Sequence, residues 1–223
     1  MKEAKATPSS ELLRETVILV NGLWMPGWVL APLARRLRNG GFDVHEFTYR
    51  SVASNLRQNA DLLQQLVTTL PGGIVHFVGY SLGGIVVRAL FHFHPQQRPG
   101  RIVTLGSPHQ GSHAAATIAT YGWGRRILGH SLLPLAAGEG RDWPLPAREI
   151  GTIAGTLNVG LGRCLPGQLK PSDGTVGLVE AYLAQAQDRA VFRVSHFGLL
   201  LSTQVAQAVT RFLRTGQFTA ARA

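Results

Sequence analysis

The chain has 223 residues, enough for a full hydrophobic core, and its 45% hydrophobic and 15% charged content exclude a disordered polymer. Its apolar runs are broken by Gly, His and Arg before they reach the roughly 18–20 residues of a membrane span. The net charge of +10, from 22 basic and 12 acidic residues, is scattered along the chain, so no nucleic-acid partner is expected; weak attraction to an anionic membrane surface fits it better.

Strand and helix patterns alternate, which argues an α/β fold with a mostly parallel sheet of about six strands flanked by helices. Residues 1–15 are polar, lack the apolar core of a secretion signal, and are expected to form a flexible segment. Thr16 to Val20 is the first strand. Ala31 to Asn39 reads as a helix stopped by Gly40-Gly41, and Asp43 to Tyr49 as the second strand. Asn55 to Leu70 is a helix with apolar residues at Leu56, Ala60, Leu63, Leu66 and Val67, and Asn55 fits its cap. Ile74 to Val78 is the third strand, followed by a helix from Leu82 to near Pro95. Arg101 to Leu105, Glu149 to Thr156 and Ala190 to Val194 read as the last three strands. Val179 to Gln187 has a helical pattern, and Leu199 to Leu213 reads as an amphipathic terminal helix. Residues 16–213 thus form one expected domain, with a frayed tail over 214–223.

The stretch 107–148 differs from the rest. It is rich in Ala, Gly and Pro and interleaves Tyr121, Trp123, Leu132, Leu133, Leu135 and Trp143. It reads equally as a partly helical cap insertion or as one crossover helix with a decorated loop. The single cysteine, Cys164, has no internal disulfide partner; with the polar N-terminus it leads us to expect a reducing, cytoplasmic setting.

Gly79-Tyr80-Ser81-Leu82-Gly83-Gly84 lies between a strand and a helix, the context in which G-x-S-x-G is a nucleophile elbow. So tight a turn holds Ser81 at a strained backbone angle and leaves no room for side chains at Gly79 and Gly83. A serine hydroxyl needs a base, usually a histidine oriented by a carboxylate, and on such a sheet the chain order is serine, acid, histidine. Of eight histidines, His45, His76, His92 and His94 read as packing or surface residues, and His109, His113 and His130 lie in or near 107–148. His196 directly follows the last strand, where the base belongs. Asp173, Glu180 and Asp188 are the candidate acids. Glu180 falls in a helical pattern and Asp188 at its far end, which leaves Asp173, in the turn Ser172-Asp173-Gly174, as the favoured one. An oxyanion needs two N–H donors; the amides of Leu82, after the nucleophile, and of Leu23, after the first strand, suit it. Trp24 and Met25, beside that loop, and Tyr121 and Trp123 are the candidate substrate-binding residues.

Taken together, Gly79 to Gly84, Thr104-Leu105-Gly106-Ser107-Pro108-His109-Gln110-Gly111-Ser112, Ser172 to Val176 and His196-Phe197-Gly198-Leu199-Leu200 resemble the α/β-hydrolase superfamily, and small bacterial lipases and esterases in particular. The resemblance runs from about Thr16 to Leu213. It implies Ser81, Asp173 and His196 as a triad, Leu23 and Leu82 as oxyanion donors, and a shortened sheet beginning at the family's third strand. His109 matches a supporting family residue, not the base. Asn21-Gly22 stands where the family usually has His-Gly, and Tyr80 where it usually has His. The resemblance implies hydrolysis of a small-molecule or lipid ester through an acyl-enzyme, with no metal or organic cofactor. A thioesterase or acyltransferase with the same triad is the first alternative, and a non-catalytic binding protein that kept the fold is the second.

Overall fold

A computed structural model describes residues 14–71, 73–160 and 169–219. Six parallel strands form its sheet: β1 (Thr16–Val20), β2 (Asp43–Phe47), β3 (Val75–Tyr80), β4 (Ile102–Leu105), β5 (Ile150–Gly155) and β6 (Asp188–Phe192). They lie in the order β2-β1-β3-β4-β5-β6. The chain leaves β1 to one side for β2, then returns to build β3 on the other. A crevice at the strand carboxyl ends follows from such a reversal, and it is where ligands bind in open α/β sheets.

The helices are α1 (Ala31–Asn39), α2 (Leu56–Thr69), α3 (Leu82–Phe93), α4 (His113–Ala119), α5 (Gly124–Ala136), α6 (Gly198–Leu201) and α7 (Thr203–Thr215). Alternate residues of the central strands face opposite layers. Ile18, Val20 and Phe77 pack with Leu63, Val67, Ile85 and Val86 of α2 and α3. Val17, Leu19 and Val78 pack with Leu33, Leu37, Val209 and Phe212 of α1 and α7. Both faces are covered, which explains why β1 and β3 read as continuous apolar runs rather than alternating ones. Asn55 caps α2 through a capping box with Gln58, as its position suggests.

Several elements differ from the sequence reading. The second strand stops at Phe47, and β6 begins at Asp188, two residues before Ala190. Val179 to Gln187 is not a helix. Its carbonyls are taken by distant donors: Glu180 O accepts from Gln110 N–H at 3.0 Å, Tyr182 O from Gln110 Nε2, and Leu183 O and Ala184 O from the Arg189 guanidinium. Tertiary bonds thus replace the helical ladder. The terminal helix is split at Ser202, whose extended backbone and hydroxyl cap α7. Nor is the tail wholly frayed. Arg214 and Thr215 continue α7, and Phe218 is buried with its ring stacked 4.7 Å from that of Phe212. Cys164 lies outside the described residues, as does most of the 1–15 segment.

The stretch 107–148 holds two helices, α4 and α5, the second kinked at Gly129 where His130 N–H donates to Val52 O. No helix among the described residues is long and apolar enough to cross a membrane.

Candidate active site

β3 ends at Tyr80 and α3 begins at Leu82, so Ser81 is the whole of the turn between them. Its φ of 53° and ψ of −124° are sparsely populated for a residue with a side chain. Such strain costs about 1–3 kcal/mol and persists only where neighbours enforce it. Here Ser81 N–H donates to Leu105 O at 2.8 Å, and α3 runs hard against β1. A Cβ on Gly83 would lie 2.2 Å from Val20 O, so no other residue permits that approach.

His196 lies on the loop after β6, at the carboxyl end of the sheet. Its Nδ1 donates to Asp173 Oδ2 at 2.7 Å, and its backbone N–H donates to Asp173 O at 2.8 Å. Asp173 is 1% exposed. Its other oxygen accepts the amides of Thr175 at 2.9 Å and Val176 at 2.8 Å. A buried carboxylate is costly unless bonded; three N–H groups share this one. With Nδ1 bound to the carboxylate, Nε2 is left as the basic atom. Gly106, at φ 57°, passes beneath the pair: a Cβ there would lie 3.0 Å from both Asp173 Oδ2 and His196 Nδ1.

Ser81 and His196 line one cavity of about 320 Å³. Leu23, Trp24, Met25, Tyr80 and Leu82 form one wall, Thr175 and Val176 another, and Ala115, Ile118, Trp123, Leu128 and Leu132 the roof. Among the described residues, no Lys, Arg, Asp or Glu lines it. The loop after β1 is clamped by Asn21, whose Nδ2 donates to Met25 O at 2.6 Å, and by Tyr49, whose hydroxyl donates to Asn21 O. Trp24, at φ 56°, gives its amide to Ser51 Oγ at 3.2 Å, so that donor is already used. Leu23 and Leu82 both border the cavity next to Ser81.

The structure thus brings Ser81, Asp173, His196, Leu23, Leu82, Trp24, Met25 and Trp123 to one place. Tyr121 is not a lining residue. It stacks on the outer side of Trp123, with ring centroids 5.7 Å apart. Asp188 starts β6 at the opposite edge of the sheet, where its carboxylate accepts the Phe218 amide at 2.7 Å. His109 is buried against Thr104 Oγ1 at 3.0 Å, and burial first, then the Arg88 charge, lowers its pKa to about 3. Such a histidine stays neutral and cannot serve as an exposed base. Sequence reasoning missed the role of Tyr80. Its hydroxyl donates to His196 O at 3.2 Å and its ring lies 4.9 Å from the imidazole. Burial, helped by the Asp173 charge, pushes the phenol pKa up, so it remains a donor. The only signal for this was its place on the strand, one residue before the nucleophile.

Comparison with solved structures decides the family of folds. The mature lipase BlEst2 of Bacillus licheniformis superposes with a TM-score of 0.74 at 18% identity, covering 96% of this chain and 96% of that one. The chain has an α/β-hydrolase fold. A hydrolase from Pseudomonas aeruginosa gives a TM-score of 0.63 at 18% identity, covering 92% of each chain. A metagenomic carboxyl esterase gives 0.64 at 16% identity, covering 83% of this chain and 65% of the esterase. The family model for palmitoyl protein thioesterase matches residues 38–134, the part of this chain that holds Ser81, α4 and most of α5. No curated protein matches the sequence.

Proposed function

We propose that this α/β-hydrolase is a serine hydrolase acting on carboxylic esters with neutral, apolar acyl groups. Ser81 Oγ attacks the acyl carbonyl while His196 Nε2 takes its proton. The tetrahedral oxyanion is held by the amides of Leu23 and Leu82 at the positive end of α3. It collapses to an acyl-enzyme as His196 returns the proton to the departing alcohol. Water then repeats the sequence and releases the acid. Asp173 keeps the imidazole in the right tautomer and stabilises its charged form. The observation that carries this reading is the strained Ser81 sharing a cavity with a histidine whose other nitrogen is bonded to a buried aspartate.

The match to the thioesterase family model favours a second reading, with a thiol as leaving group. The same groups would perform it. The test is a matched series of p-nitrophenyl esters and of thioesters with acyl chains of two to twelve carbons. Turnover of neutral acyl chains in either series supports the reading, and the faster series names the leaving group. Turnover of neither series, or faster turnover of a dicarboxylic monoester than of a neutral ester of equal length, contradicts it. Adding a short alcohol to the ester assay separates hydrolysis from acyl transfer by the product formed.

A further inference from the structure

Glu180 stands outside the reacting groups, yet it is 5% exposed and holds two separate parts of the site at once. Its Oε2 accepts the Gly177 amide and its Oε1 the His113 amide, each at 2.5 Å. Gly177 closes the turn that carries Asp173: it bridges to Ser172, while Asp173 Oδ1 holds Val176 between them. His113 is the first residue of α4, the helix after the Ser112 cap. Thr175 and Val176 of the turn, and Ala114, Ala115 and Ile118 of α4, all line the cavity. One carboxylate therefore spans from the loop of the acid to the helix above the acyl site. Burial raises its pKa, and the two amides, ahead of the His113 charge, offset part of that rise.

We propose that Glu180 is a positioning residue that sets the distance between α4 and the Asp173 turn, and so the fit of the acyl chain. This rests on the serine-hydrolase reading for its kinetic consequence, though not for the coupling itself. Burying an acid beside an apolar cavity is costly, and a shorter polar or apolar residue would fill the space at less cost. Two charge-assisted bonds to amides from different segments give it a use no neutral residue repeats. A glutamine has one acceptor oxygen, so one of the two amides would face an N–H group instead.

Three variants separate this from a general structural role. Glu180→Gln breaks one arm or both. His113→Pro removes only the cap arm: proline suits the first helical position, and Ser112 at φ −122° and ψ 108° already has the extended backbone a following proline requires. His113→Ala keeps the amide and removes the side chain. Two readouts are needed: hydrogen exchange in peptides covering 113–119 and 172–178, and the ratio of kcat/KM for p-nitrophenyl octanoate to that for the acetate. In Glu180→Gln, exchange should rise about tenfold in at least one of the two segments, the one whose amide loses its acceptor. In His113→Pro it should rise in 113–119 alone. Both should lower the octanoate-to-acetate ratio by about fivefold, and His113→Ala should leave it near wild type. The proposal is overturned if exchange in the two segments is unchanged in Glu180→Gln. It is equally overturned if the ratio holds while both rates fall, or if His113→Ala matches His113→Pro. Should Glu180→Gln fail to fold, His113→Pro decides with the carboxylate intact. A wild-type protein that cleaves neither ester sinks the functional reading, and the exchange data then decide the coupling by themselves.

Discussion

The floor and the roof of the cavity are built by opposite means. The floor sits on loops at the ends of parallel strands and is fixed by hydrogen bonds: His196 and Asp173 are joined by two, and Asp173 accepts two further amides. The roof, α4 and α5, meets the cavity with apolar side chains, and part of it faces solvent, with Trp123 60% and Ile127 40% exposed. Apart from the His113 amide, which Glu180 joins to the Asp173 turn, its polar ties include Ser131 Oγ, which donates to Ser54 O at 2.6 Å, and Ile127 O, which accepts from Trp24 Nε1 at 3.1 Å. Directional bonds hold the groups that need a fixed angle. Apolar contact holds those that need only fit. Chemistry should therefore fail when the floor is changed, and chain-length preference when the roof is changed.

The largest effect is expected in the floor. Asp173→Asn should lower kcat by about 10²–10⁴ with little change in KM, the pattern of a lost transition-state interaction. Steady-state kinetics on one short ester, with circular dichroism to confirm folding, measures it. An equal rise in KM would place Asp173 in substrate binding instead.

A stability effect follows from His109, buried just behind the floor. Its pKa falls from the ordinary value near 6.5 to about 3 on folding. Above pH 6.5 neither state is protonated and the group is neutral to stability. As pH falls from 6.5 toward 3 the unfolded chain binds a proton that the folded one refuses, so stability is lost across that window. Glu180, raised by burial, acts in the opposite sense. Comparing His109→Gln with wild type isolates the histidine. The urea midpoint of the wild type should fall more steeply between pH 7 and pH 4 than that of the variant. Parallel curves would show that His109 is protonated in the folded state.

In the roof the effect is smaller and selective. Trp123→Ala should raise KM for an octanoate ester about three- to tenfold and alter acetate turnover by less than about twofold, since a pocket contact is worth little to a chain that does not reach it. Equal losses on both esters would erase the division between floor and roof. The smallest effect is expected at Asp188, at the far edge of the sheet: Asp188→Asn should change kcat by less than about threefold.

The floor was legible in the sequence because its demands are local. G-x-S-x-G between strand and helix, a turn aspartate and a histidine after the last strand each answer a backbone requirement within a few residues. Leu23 and Leu82 followed from their places beside those motifs. The roof carries no such requirement. Trp123 and Tyr121 are two residues apart in a similar composition, yet one lines the cavity and the other stacks outside it. The stretch around Glu180 misled for a related reason. Its apolar spacing fits a helix, but its carbonyls are claimed by Gln110 and Arg189 from elsewhere in the chain. Tyr80 was hidden because its part is played through its ring and hydroxyl against His196, 116 residues away.

The central claim is that Ser81 is the nucleophile and that His196 activates it. A fluorophosphonate probe phosphonylates such a serine, and the adduct can be mapped by peptide mass spectrometry. The account predicts one adduct, on Ser81, absent from Ser81→Ala and formed far more slowly in His196→Ala. An adduct on a different serine, or hydrolytic activity in protein that carries none, would contradict it.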